Sequence, residues 1–231
     1  MKVAIVAEGR GDLAVIRNIL KGKLDIDGSD IQNLLPEYEY DQTDLAQMPV
    51  EAFSNWTLVK SKCQNRDDLK VFLNLNKDAF LVIQIDTAER VLDGYDVHLP
   101  QRTGNQNQDD YCIALRNNII DKINEWLENN LSGKIAYAVC IEETEAWIMT
   151  LYNETNTSKY ADPKRKLQEI FDKKLSLREH LILSDKDTFK KMKKLSDGFS
   201  KKKVLKQVQK NNKSLDLFCE SLDVFKSIDA N

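Results

Sequence analysis

The chain has 231 residues, 42% apolar and 31% charged, with a formal net charge of −3. That composition supports a full globular core and excludes a disordered or fibrous chain. No apolar run approaches the roughly 20 residues of a membrane span, so no membrane partner is expected.

Residues 3–7 are wholly apolar and mostly β-branched or small, which predicts a strand buried on both faces. The run stops at Glu8-Gly9-Arg10-Gly11-Asp12. Glycine permits a tight turn, and Asp12 suits the first turn of a following helix. Leu13, Ile16, Ile19 and Leu20 predict that helix over about 13–20. Residues 22–49 are polar and read as loop. Asp25, Asp27 and Asp30 there lack the downstream Glu of a calcium loop. Residues 56–59 read as a short second strand. Residues 67–75 read as a helix with Leu69, Phe72 and Leu73 on one side. The apolar run 80–85 is another strand. It runs into Asp86, with Glu89 one turn on.

Residues 93–110 read as a polar loop beside that acidic strand end, where substrate-facing loops are placed. Ile113, Leu115, Ile119, Ile120 and Ile123 predict a helix over 111–127. The strand 134–141 ends in Glu142-Glu143, with Glu145 close behind, and 143–151 reads as a helix. Pro163 suits the first turn of the next, over 164–171. The remainder reads as helical and basic. Residues 159–213 hold 18 Lys+Arg against 7 Asp+Glu, an excess of +11, while the rest of the chain carries −14. Such asymmetry marks either a nucleic-acid footprint or a solvated helical surface.

Three apolar strands that each end in acid make one sheet edge a candidate cation site, and ligands of open α/β sheets bind at that edge. Clustered carboxylates repel, so their company implies a positive group between them. Mg²⁺ or Mn²⁺ is the expected cofactor, because hard cations take oxygen ligands. Glu8 is a candidate ligand or base and Asp86 a candidate ligand. Asp12, Glu89, Glu143 and Glu145 are candidates to complete one site or two. Lys164 either stabilises charge on a phosphate or pairs with Asp162. Asp12 also suits the helix dipole, and Trp147 suits a core. His98 and His180 are isolated and carry no assigned role. Cys63, Cys112, Cys140 and Cys219 form no Cys-x-x-Cys pair. They are expected to be free buried thiols in a reducing cytoplasm. The one Lys and five apolar residues before Glu8 are too short for a secretory leader. Gly9-x-Gly11 lacks the third glycine of a dinucleotide site.

Two of these stretches resemble a known family. Ala7-Glu8-Gly9-Arg10-Gly11-Asp12 is similar to the first motif of Toprim domains, and Ile85-Asp86-Thr87-Ala88 to the second. The segments Glu143-Thr144-Glu145-Ala146-Trp147-Ile148, Asp162-Pro163-Lys164 and Ser214-Leu215-Asp216-Leu217-Phe218 are closer to a narrower group. They resemble small bacterial Toprim-like proteins, akin to overcoming-lysogenization-defect nucleases, that are linked to phage defence and to ATPase partners. The resemblance implies phosphodiester chemistry with Mg²⁺. One position departs from the pattern: Ala88 stands where the second Asp of Asp-x-Asp would be. That ligand is then missing or supplied by Glu89.

The expected fold is α/β: a Toprim-like, mostly parallel central sheet flanked by helices over 1–155, with a basic helical extension over 156–231 packed on it. The expected function is a cytoplasmic, metal-dependent nuclease acting on DNA or RNA, with an ATPase subunit or further copies of itself as partners. The alternatives are a degenerate Toprim scaffold that binds nucleic acid or an ATPase without chemistry, and a nucleotide-handling enzyme.

Overall fold

In the computed structural model, residues 1–36, 56–100, 107–131, 133–174 and 186–226 are described. Among them, β1 (Lys2–Val6), β2 (Ile31–Leu35), β3 (Ala79–Asp86) and β4 (Ile135–Cys140) form one all-parallel sheet in the order β2-β1-β3-β4. Helices cover both faces, so the expected α/β class with a parallel sheet is what the chain adopts. The central strands are apolar throughout because both faces are buried. In β1, Val3, Ile5 and Ala7 enter one core, and Ala4 and Val6 the other.

The first core lies under α1 (Arg10–Leu24) and the helices that follow Asp162. The second lies under α2 (Trp56–Gln64), α3 (Asp67–Leu75) and α4 (Gln108–Trp126). After β4 come the short helix α5 (Glu145–Ile148), then α6 (Pro163–Lys174), α7 (Thr188–Leu195), α8 (Lys202–Val208), α9 (Lys213–Ser221) and α10 (Asp223–Lys226). The C-terminal helices share the sheet's own core. Phe225 stacks on Phe80 of β3 with ring centroids 4.1 Å apart, and Phe218 stacks on Trp147 at 5.6 Å.

Three sequence expectations need correction. Residues 56–59 are the first turn of α2, not a strand. Trp56, Val59 and Cys63 are its buried residues, a helical spacing that a four-residue window cannot separate from alternation. The true second strand is β2, inside the stretch read as loop. It is an edge strand, and Gln32 and Asn33 break its apolar pattern. The part of that stretch after Pro36, 37–49, lies outside the described residues, as do 50–55 and 101–106. Third, the expected helix 143–151 is only α5, continued by a 3₁₀ turn, Met149–Tyr152, which stops at Asn153 in the left-handed region (φ 64°).

The first helix is longer than its apolar stripe indicated. It runs to Leu24, where Asp25 closes it in the left-handed region (φ 59°) with its N–H on Lys21 O. Two of its glycines admit close neighbours. A Cβ on Gly11 would press on Met192 Cγ at 3.1 Å, and one on Gly22 would meet the Phe199 carbonyl oxygen head-on. Buried Asn18 fixes the same packing by donating to Lys193 O (2.9 Å) and Ser196 Oγ (2.8 Å). The basic helix α7 therefore lies along α1, and its start sits beside the start of α1. Among the described residues, no helix is long and apolar enough to cross a membrane. All four cysteines are free and buried.

Candidate functional site

From β1 the chain crosses to β2 on one side, and β3 lies on the other. This reversal opens a crevice at the carboxyl ends of β1 and β3, where open α/β sheets take ligands. Glu8 leaves β1 at that point and Asp86 ends β3. The two are held together directly. Glu8 Oε1 accepts from the Asp86 backbone N–H at 2.8 Å. Beneath them, Gln84 is fully buried. Its Oε1 accepts from the Glu8 backbone N–H (2.9 Å), and its Nε2 donates to Asp86 Oδ1 (2.9 Å). Thr144 Oγ1 donates to the same Oδ1 at 3.1 Å. Tyr95, also fully buried, donates its hydroxyl to Asp86 O at 3.1 Å.

The other acids arrive from neighbouring elements. Asp12 sits in the first turn of α1 and faces the Thr144 hydroxyl. Glu145 opens α5. Glu143 is bound by Lys164, whose Nζ lies 2.7 Å from its Oε1 and whose backbone N–H donates to its Oε2 (3.2 Å). Lys164 therefore does not pair with Asp162, which instead accepts from the Arg165 backbone N–H and lies 3.3 Å from its Nε. Glu89 is exposed on the loop after β3, close enough for its charge to act on Glu8. Glu142 faces away. It pairs with Arg90 at 2.8 Å and adopts the left-handed region (φ 61°), turning the chain so that Thr87 N–H reaches the carbonyls of Cys140 and Glu142. His98 is exposed, and His180 lies outside the described residues.

These carboxylates share one field. Burial pushes Glu8 up to about 8; the Asp86 N–H works against that, while Asp12 and Glu89 add to it. Burial, then Asp12, Glu8 and Glu145, hold Asp86 well above the usual carboxylate range. Burial also raises Asp12, against the nearby Thr144 hydroxyl and the charge of Lys164. Burial pushes Glu145 up to about 7, with Lys164 opposing. Lys164 is the cation that offsets all four. Its own pKa is raised: partial burial works against its charge, and Glu143, Glu145 and Asp86 outweigh that. Strongly perturbed acids gathered in a cleft are a marker of function.

The donors are all hard carboxylate oxygens, which suits a divalent cation chemically. Their spacing is more open than a closed coordination shell: among the described residues, no three Asp, Glu, His or Cys side chains converge closely enough to hold a metal ion.

Sequence reasoning missed Gln84, Thr144 and Tyr95. A signal existed for the first, a lone amide in a strand that is otherwise apolar up to its terminal Asp86. Replacing it tests its role in the crevice. Gln84→Met leaves the Glu8 N–H without its partner and Asp86 Oδ1 with Thr144 alone, and a buried unsatisfied group costs about 1–3 kcal/mol. Urea unfolding of Gln84→Met is expected to show a loss of that size, and an unchanged midpoint would show that the amide does not hold the crevice together.

No family model matches the chain, and neither do any curated proteins or solved structures, so the chain is placed by its own geometry alone.

Proposed function

We propose that this chain is a divalent-cation-dependent nuclease that hydrolyses phosphodiester bonds in DNA or RNA, on a Toprim-like scaffold. The observation that carries the reading is the crevice between β1 and β3. There, Glu8, Asp12, Asp86 and Glu145 stand above their ordinary pKa values, with Lys164 as their common offset. Such crowding calls for further positive charge. Glu8 and Asp86, with Asp12 and Glu145 beside them, would hold Mg²⁺ or Mn²⁺. When bound, the cation would relieve their repulsion, align phosphate oxygens and lower the pKa of a water.

The chain's own residues have separable roles. Glu8 is placed at the carboxyl end of β1 to serve either as a cation ligand or as the base that takes a proton from an attacking water. Lys164, 63% exposed at its side chain, is free to swing from Glu143 to a phosphate oxygen and stabilise the charge that develops there. Gln84 and Thr144 fix Asp86 Oδ1 and so orient the other oxygen. The exposed Lys190, Lys193 and Lys194 on α7, beside the start of α1, and Lys201, Lys202 and Lys203 before and within α8, form the surface for a phosphate backbone. The resemblance described above adds an ATPase partner and a role in anti-phage defence in the cytoplasm.

A second reading, a scaffold that binds without cutting, is favoured by Ala88 and by the open spacing of the acids. One experiment separates the two. The purified chain is mixed with plasmid or structured RNA in Mg²⁺ or Mn²⁺. The nuclease reading expects cleavage that falls about 100-fold in Glu8→Ala and Asp86→Ala, the scale of a lost acid–base group. No cleavage by wild type, or equal cleavage by Glu8→Ala, removes it.

A further inference from the structure

A second concavity of about 340 Å³ is lined by none of the acids of the crevice. Its walls come from the start of α4, the turn at 155–156 and the entry to α9. Every lining residue is of a polar type. Lys210 and Lys213 supply two positive charges, and neither has an anionic partner among the described residues. Asn156 and Asn211 make no side-chain hydrogen bond within the described residues, and Asn107 uses only its Oδ1, on the Asp110 N–H. Their amide N–H₂ groups are therefore unused donors. Asp109 is the one acid in the wall.

The wall is held rigidly. Trp147 Nε1 donates to Ser214 Oγ (2.8 Å), Ser214 donates to Asn212 Oδ1 (2.9 Å), and Asn212 Nδ2 donates to Thr157 Oγ1 (2.9 Å). All four side chains are buried. Asn212 lies between Lys210 and Lys213, and Trp147 is two residues from Glu145. The network thus fixes the backbone that carries the two lysines. Gln108 Nε2 adds a bond to Ser158 O at 3.0 Å, tying the α4 side to the turn.

Two unpaired ammonium groups and several free amide donors around a small open cavity match one ligand chemistry, a phosphate group. We infer that this cavity is a phosphate subsite that anchors a nucleic-acid strand at a distance from the bond cut in the crevice. The subsite takes its strand from the nuclease reading, but it acts in binding and needs no cleavage.

The test is equilibrium binding of labelled single-stranded DNA and RNA oligonucleotides of about 20 nucleotides to the full chain in EDTA, across a salt series. The variant is Lys210→Ala with Lys213→Ala. The control is Lys70→Ala with Lys77→Ala, two exposed lysines that remove the same charge, the latter next to the amino-terminal start of β3. Affinity is expected to fall roughly tenfold in the first double variant, and the salt slope to shrink by about 1.4, from about 0.7 per phosphate contact on a single strand. The control is expected to bind like wild type. Equal losses in both doubles, no loss in either, or no binding by wild type overturns the subsite. Wild type that binds in this way yet never cleaves in Mg²⁺ or Mn²⁺ upholds the subsite and rejects the nuclease.

Discussion

Glu8→Gln is expected to be more stable than wild type at pH 8 and equal to it near pH 5, with chelator present. Glu8 stands at about 8 in the folded chain against 4.5 ordinarily, chiefly because it is buried. A group with a raised folded pKa holds its proton more tightly when folded. An acid of this kind leaves stability intact below its unfolded value and erodes it as pH climbs towards the folded one. The erosion therefore runs from about pH 4.5 to pH 8. At about 1.4 kcal/mol per unit, the shift bounds the loss at about 5 kcal/mol, and solvent reaching this half-buried group reduces it to about 2. Glutamine keeps an oxygen for the Asp86 N–H and carries no charge to lose. Glu145, Asp12 and Asp86 are raised in the same direction, so wild type itself should weaken steadily from pH 5 to pH 8. Thermal melts at the two pH values decide it; parallel curves for variant and wild type would mean Glu8 is not strained. Adding Mg²⁺ at pH 8 should raise the melting temperature of wild type and leave Glu8→Gln nearly unmoved, a test of cation binding that needs no substrate.

Gly22→Ala should destabilise the chain by about 3 kcal/mol, the upper range for overpacking where both neighbours are backbone. The sign makes the test sharp. In a free helix, alanine is better than glycine by about 1 kcal/mol. Here the added methyl runs into the Phe199 carbonyl, in the 3₁₀ turn Asp197–Ser200, whose Phe199 side chain is fully buried. Neither the helix nor the turn can step aside without unseating Phe199. Urea midpoints measure the change, and a gain of stability would show that the turn does not press on α1.

Much of this architecture is legible in the sequence, for physical reasons that also explain the misses. Strands β1, β3 and β4 announce themselves because burial on both faces demands unbroken apolar runs. Among the described residues β2 has one neighbour in the sheet, and its Gln32 and Asn33 hide it. Glu8 and Asp86 are visible because an acid that stops an apolar strand stands out. Their supports are not, since Thr144 between two glutamates carries no pattern and Tyr95 lies in a stretch that reads as loop. The partner of Lys164 was likewise hidden. Asp162 is near it in sequence, but Pro163 opens α6 there, and Glu143, 21 positions earlier, meets Lys164 instead.

The stacking of Phe225 on Phe80, and of Phe218 on Trp147, has a consequence for how the chain is made. Strand β1 leaves the ribosome about 200 residues before the rings that cover its sheet. Until they arrive, one apolar side of the nascent sheet is open to water and to other chains. Early termination anywhere before α9 should therefore yield a sticky fragment rather than a smaller working protein, and the basic tail cannot be exchanged like a cassette without rebuilding the interior it seals.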